Sequence, residues 1–219
     1  MFYECQSLIF ISDLSQLNTY NVSNMSYMFA KCSSLIKIDD IFELENNNIE
    51  DINNMFSDCS SLLSLPDISR WNTNNIIYMN EIFAGCSSLL SLPDISKWNT
   101  FKLKDMSELF YGCSLLQSLP DISGWEIKNI CKINGLFNGC ESLNSLCDIS
   151  KWNTQNVNDI SCLFANCSLL NSIPDISKWN TSKVKEMADL FSNCSKLLSL
   201  PDISKWDVKN VIDIKWYIF

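Results

Sequence analysis

The chain has 219 residues, 47% hydrophobic and 19% charged, enough for one large domain or a short array of repeats. A net charge of −9, no histidine, and lysines and arginines scattered singly leave no basic stripe for phosphate groups, which argues against nucleic acid as a partner. No run approaches the roughly 18 apolar residues of a bilayer span.

The opening "MFYEC" matches "MFAKC" at Met28 to Cys32, so the chain starts inside a repeat, as a piece of a longer array or as an array without its own N-terminal cap. The residues that follow Met1, "FYECQSLIFISD", show neither a basic n-region nor a small-residue cleavage site. Cysteines at 5, 32, 59, 86, 113, 140, 167 and 194 begin eight coils of 27 residues without insertion or deletion. A strict period in this range marks a solenoid, which we take to occupy residues 1–219 as a single domain.

Each coil is read in chain order from its cysteine. Three residues on stand Leu8, Leu35, Leu62, Leu89, Leu116, Leu143, Leu170 and Leu197, and six on an isoleucine or leucine, from Ile11 to Leu200. These columns belong to the core, because one coil cannot bury its apolar side alone. The "SLLSLPD" level predicts a short strand, stopped by proline and paired in parallel with its copies. Tryptophans at 71, 98, 125, 152, 179 and 206, with Leu17 and Leu44 in their column, form either a recognition surface or, as leucine replacement favours, a packed wall. Asparagines such as Asn99 and Asn129 close turns through side-chain to backbone bonds. "NVNDISCLFANC" places Val157, Ile160, Leu163, Phe164 and Cys167 at helical spacing with Asp159 as a cap, which predicts one short helix per coil. Phenylalanines from Phe29 to Phe191 complete the core, with Ile218 in their column at the end. The expected fold is an α/β solenoid of eight coils, each with a short parallel strand and a short helix.

The repeat, quoted as "CSSLLSLPDISKWNTFKLKDMSELFYG" from Cys86 to Gly112, resembles the BspA-like leucine-rich repeat surface proteins and, more narrowly, the mycoplasma-type lipoprotein repeat of unknown function. The resemblance covers essentially the whole chain. It implies a leucine-rich-repeat solenoid with strands on one face, used to bind proteins or surfaces and often displayed outside the cell. The second coil, "CSSLIKIDDIFELENNNIEDINNMFSD", departs by lacking both proline and tryptophan.

Several columns invite chemistry. The ladder cysteines lie within reach of disulfides if stacked at strand spacing, although small apolar side chains also suit a tight corner of the core, which we favour. Zinc would need CxxC pairs or histidine, and the chain has neither. Cys131, Cys147 and Cys162 lie off the ladder with no sign of activation beyond Lys132 beside Cys131. An aspartate stands eight residues after every cysteine: Asp13, Asp40, Asp67, Asp94, Asp121, Asp148, Asp175 and Asp202. Like charges in a row repel, so something must compensate. The favoured reading has each carboxylate accepting backbone N–H groups in a turn, screened by Arg70, Lys97, Lys151, Lys178 and Lys205, where Gln16, Glu43 and Gly124 stand in the other coils. The alternative is a calcium ribbon over Asp67, Asp94, Asp121, Asp148, Asp175 and Asp202.

No catalytic or cofactor constellation is visible, since histidine, a phosphate-cradling glycine loop and paired carboxylates outside the repeat are missing. We therefore expect a non-enzymatic scaffold without cofactors, whose partner is a protein or a cell-surface component. Specificity is expected in two variable columns, the fourth residue after the cysteine (Ile9, Ile36, Leu63, Leu90, Gln117, Asn144, Asn171, Leu198) and the fifteenth (Tyr20, Asn47, Asn74, Phe101, Lys128, Gln155, Ser182, Lys209), with Leu90, Gln117, Asn144, Asn171, Phe101, Lys128 and Gln155 in the middle coils as the binding candidates. The rival class is a structural module that stacks end to end through open solenoid ends, with the apolar "VIDIKWYIF" as cap, interface or truncation point. The resemblance places the protein at the cell surface, whereas eleven cysteines without a pairing scheme also suit a reducing cytoplasm.

Overall fold

The computed structural model of the chain describes residues 1–41 and 48–213. Glu43, Leu44, Asn47 and Ile218 lie outside the described residues, as do the last six residues of "VIDIKWYIF". Two strands, β1 (Phe10–Asp13) and β2 (Lys37–Asp40), pair in parallel with Ile11 opposite Ile38 and Asp13 opposite Asp40. Among the described residues no later coil continues them as strand.

Proline explains the difference. The seventh residue after the cysteine is Ser12 and Asp39 in the first two coils, but Pro66, Pro93, Pro120, Pro174 and Pro201 in five of the others. A prolyl nitrogen has nothing to donate to a ladder. What remains there is looser: Leu90 N–H reaches the Leu63 carbonyl at 3.3 Å and Leu198 N–H that of Asn171 at 3.3 Å, against 2.9 Å from Ile36 to Ile9. The strand expected in every coil is formed in two.

The expected helix is replaced by turns, and no helix occurs among the described residues. In the segment from Ile160 to Cys167, Leu163 N–H donates to the Ile160 carbonyl, Ala165 to Cys162 and Cys167 to Phe164, at 3.3, 3.1 and 3.2 Å. These are three-residue bonds, not the four-residue bonds of an α-helix. The alternate N–H groups leave the coil altogether. Those of Ile160, Cys162, Phe164 and Asn166 donate to Glu186, Ala188, Leu190 and Ser192 of the next coil at 2.9, 2.8, 3.0 and 2.7 Å. The first and third of these turns have a left-handed third residue, as in a type II turn: Cys162 and Asn166 have φ of 54° and 59°. The same two positions are left-handed in other coils, where Gly85, Gly112 and Gly139 take the second of them without Cβ strain. Asp159 caps no helix; its Oδ1 accepts from the Ser161 N–H and hydroxyl at 3.0 and 2.6 Å and opens the first turn.

Coil spacing decides between helix and turn. Stacked phenylalanine rings from Phe2 to Phe191 have centroids 5.3 to 6.1 Å apart. Packed helices need about 8–10 Å between axes. A column of helices at this pitch would overlap, so the chain turns in a flatter form that can hydrogen-bond upward. The coils are therefore not spread wider at the cysteine corner, contrary to what a helix there would imply.

The core fills the space between the turns and the opposite face. Phe56, Phe83, Phe110, Phe137, Leu89, Leu116, Ile95 and Ile122 are fully buried. Trp98, Trp125, Trp152, Trp179 and Trp206 are also buried, each donating its indole N–H to the carbonyl of the isoleucine 30 residues earlier at 3.1 to 3.3 Å. The tryptophan column is thus a packed wall and carries no recognition surface.

Replacing Phe110 by alanine should lower stability by about 3–5 kcal/mol, because neighbouring rings stand on both sides of the void. Replacing Trp125 by phenylalanine should cost about 1 kcal/mol, chiefly the lost donor to the Ile95 carbonyl. Denaturant midpoints of the full chain check both, and equal losses would contradict the separation of packing from hydrogen bonding.

Candidate binding surface

The ladder cysteines come together without bridging. All eleven cysteines are free thiols, six of those on the ladder are buried, and seven from Cys32 to Cys194 each donate S–H to the carbonyl of a phenylalanine 30 residues earlier, as Cys113 does to Phe83 at 3.1 Å. Sequence reasoning identifies the small apolar side chain but misses this donor role. Burial pushes the Cys59 thiol up to about 12 and that of Cys194 to about 11, and raises Cys86, Cys113 and Cys140 well above the ordinary value. Such thiols make poor nucleophiles and poor metal ligands. Cys162 is half-buried and its thiol is raised by burial and by Asp189, Asp159 and Glu108.

The aspartate row is exposed, and its compensation comes first from serine, with Arg70, Lys97, Lys151, Lys178 and Lys205 adding a smaller share through space. Asp67, Asp94, Asp121, Asp148, Asp175 and Asp202 each accept the N–H of the serine two residues on at 2.9 to 3.0 Å, and Asp13 does so from Ser15 at 2.7 Å. Asp40 instead accepts from Ile41 N–H at 2.8 Å. The hydroxyl and then the backbone N–H of Ser69 hold the Asp67 carboxyl below its ordinary value of 3.8, and the five later carboxyls are lowered in the same way. Among the described residues no ion pair joins this row to Arg70, Lys97, Lys151, Lys178 or Lys205. No group of three or more His, Cys, Asp or Glu able to hold a metal ion occurs among the described residues. The turn reading therefore accounts for the contacts seen, with the Asp-x-Ser spacing as its signal.

The fifteenth-residue column sits at the tip of a turn whose backbone is held from both sides. Asn99 Oδ1 accepts the Phe101 N–H at 3.0 Å, and the Phe101 carbonyl accepts from Asn129 Nδ2 of the next coil at 2.7 Å. Asn153 holds the Gln155 N–H at 3.2 Å, and Asn156 Nδ2 the Lys128 carbonyl at 2.7 Å. Phe101 and Lys128 are exposed, and Gln155 is half-exposed. The asparagines do the structural work and leave these three side chains free to vary.

The fourth-residue column lies on the opposite side of each aspartate turn and is exposed throughout, including Leu90, Gln117, Asn144 and Asn171. Its first four members form an aliphatic row, with Ile9 58%, Ile36 43%, Leu63 47% and Leu90 49% exposed. Ile9, Ile36 and Leu63 line a groove of about 580 Å³ with Ser7, Ser34, Ser61 and Ser88. Sequence variation already sets this column, Ile9, Ile36 and Leu63 included, among the surface candidates. No described groove contains members of both columns.

With this geometry, the comparisons are informative. The family described as Mycoplasma protein of unknown function, DUF285, matches residues 1–89, 36–145 and 116–219, and the chain belongs to it. The mycoplasma-type repeat and the BspA-like leucine-rich resemblance are thereby borne out. No curated protein matches. The chain is similar in structure to a leucine-rich repeat protein of T. pallidum, at 18% identity over 91% of this chain and 86% of that one with a TM-score of 0.55, which establishes a leucine-rich-repeat solenoid. A leucine rich cell surface protein from Faecalibacterium prausnitzii aligns at 19% identity over 90% of this chain and 60% of that one, TM-score 0.40. A leucine-rich repeat protein from Bacteroides ovatus aligns at 17% over 91% and 68%, TM-score 0.30. No helix among the described residues is long and apolar enough to cross a membrane.

The depressed carboxyls set a pH window. Folded values below 3.8 mean that their contribution to stability is present above 3.8 and lost as pH falls through the folded values. Melting temperature should hold steady from neutrality to about pH 5 and fall below about pH 4. Replacing Asp94, Asp121 and Asp148 together by asparagine, which keeps an acceptor oxygen, should flatten that fall, and an unchanged profile would contradict the assignment.

Proposed function

We propose that the chain is a non-enzymatic repeat scaffold that binds a protein or another component at a cell surface. The observation that carries this reading is the pairing of a repeated, hydrogen-bonded framework with exposed side chains that differ from coil to coil. Leu90, Gln117, Asn144 and Asn171 form one contact row and Phe101, Lys128 and Gln155 the other. Solenoids bind in this manner, each coil contributing a small part of an extended face. Placement at the surface is supported by the resemblance to surface proteins, and a scaffold without cofactor is supported by buried, raised thiols and the lack of any converging acid and base.

A second reading, self-assembly through the solenoid ends, is favoured by Leu198 and Ile212, which are 88% and 77% exposed in the last described coil. Light scattering across concentration separates the two: the scaffold stays monomeric, and mass that grows with concentration establishes stacking.

Substituting Gln117, Asn144 and Asn171 by alanine together with Leu90 by serine should abolish binding of the purified chain to intact target cells. The melting temperature should stay within a few degrees, since none of these side chains supports the fold. Undiminished binding would remove the row.

A further inference from the structure

The first four coils differ from the rest in a way that specifies a partner. Their fourth-residue row is wholly aliphatic (Ile9, Ile36, Leu63, Leu90), where the next three coils carry Gln117, Asn144 and Asn171. Within coils one and two the neighbouring edge is acidic: Asp13, Asp39 and Asp40 face a single cation, Lys37, which is already paired to Asp39 at 2.5 Å. Position 16, where five of the later coils have lysine or arginine, is glutamine. An apolar row beside an acidic edge complements an amphipathic partner with cations along one flank.

Two lengths choose the partner's conformation. From Ile9 to Asp13 the chain is extended through β1, which puts the acidic edge about 13 Å from the aliphatic row at about 3.3 Å per residue. That is close to the about 10–12 Å width of an α-helix with its side chains. Along the solenoid, coils repeat at 5.3 and 6.1 Å between the rings of Phe29, Phe56 and Phe83. A helix repeats every 5.4 Å and keeps one apolar side chain per coil, whereas an extended strand repeats a face at about 6.6–6.8 Å and drifts out of step over four coils.

We propose that the aliphatic row Ile9, Ile36, Leu63 and Leu90 with the Asp13, Asp39 and Asp40 edge is a docking site for a basic amphipathic helix of a partner protein, lying parallel to the solenoid axis. The inference rests on the scaffold reading above and names the class of partner. The helix sets its apolar stripe, residues spaced three and four apart, on the row, and turns lysines or arginines toward the carboxylates.

The test uses the full chain and three synthetic peptides of about 15 residues with the same leucine stripe, carrying lysine, glutamate or serine on the flank. Fluorescence anisotropy at low salt should show binding of the lysine peptide only, with a gain of helical circular dichroism and weakening as salt rises. Ile36→Ser with Leu63→Ser should weaken it about tenfold or more, as should Asp13→Asn with Asp40→Asn. Glu126→Gln with Glu141→Gln removes equal charge from exposed positions in coils five and six and should leave binding unchanged. No binding, equal binding of the glutamate peptide, no gain of helix, or an equal loss in the Glu126 and Glu141 variant each overturns the proposal. If the lysine peptide fails while the Leu90, Gln117, Asn144 and Asn171 variant still loses target cells, the partner class is wrong and the scaffold stands.

Discussion

The distance between one coil and the next governs this molecule. At 5.3 to 6.1 Å between stacked phenylalanines, the backbone N–H groups of the turns find their acceptors either three residues back or on a neighbouring coil. That constraint excludes helices, whose width exceeds the pitch, and selects paired turns with left-handed third residues. It also explains why side chains that can donate without adding bulk line the joints. Indole N–H and thiol S–H groups both reach back 30 residues to a carbonyl, Trp125 to Ile95 and Cys113 to Phe83. Several left-handed positions hold residues other than glycine, including Glu81, Glu108 and Cys162, at φ of 57°, 55° and 54°. Each such residue costs on the order of 1–2 kcal/mol, which the upward hydrogen bonds must offset.

The same economy frees the surface. Asparagine side chains hold the backbone around Phe101, Lys128 and Gln155, so the side chains at those tips contribute little to the fold. On the other face, the residues between the cysteine corner and the proline are short and mostly uncharged, with serine hydroxyls such as Ser87 and Ser114 spent on carbonyls of the preceding coil at 3.3 and 3.2 Å. What projects there most regularly is the aliphatic or amide side chain of the fourth residue, joined in single coils by Phe10, Leu115 and Leu169.

Much of this was legible in the chain itself, and the limits of legibility are physical. A 27-residue period and its leucine, phenylalanine and isoleucine columns identify a stacked core, because only stacking can bury them. The segment around Val157, Ile160, Leu163 and Phe164 misled because spacing of three and four residues fits a short helix and a run of three-residue turns equally well. The discriminating fact is where alternate N–H groups go, and that lies on the next coil. Glycine before the cysteine at positions 85, 112 and 139 was the available hint of left-handed backbone. The aspartate row was read as a turn device accepting backbone N–H groups, and the N–H it accepts is that of the serine two residues on. The fourth-residue column was legible as surface from its variation, Ile9 and Leu63 giving way to Gln117 and Asn144 in later coils.

The exact phase of the repeat has a consequence for how such a protein changes over generations. Joints that span 26, 27, 28 or 30 residues each link the same pair of columns at every junction of adjacent coils, so loss or duplication of one whole coil recreates them at the new junction. Copy number is then nearly neutral for folding while it lengthens or shortens the exposed rows. Unequal exchange between near-identical stretches such as those at Cys59 and Cys86 becomes a means of resizing the exposed rows in single steps, with the architecture left intact.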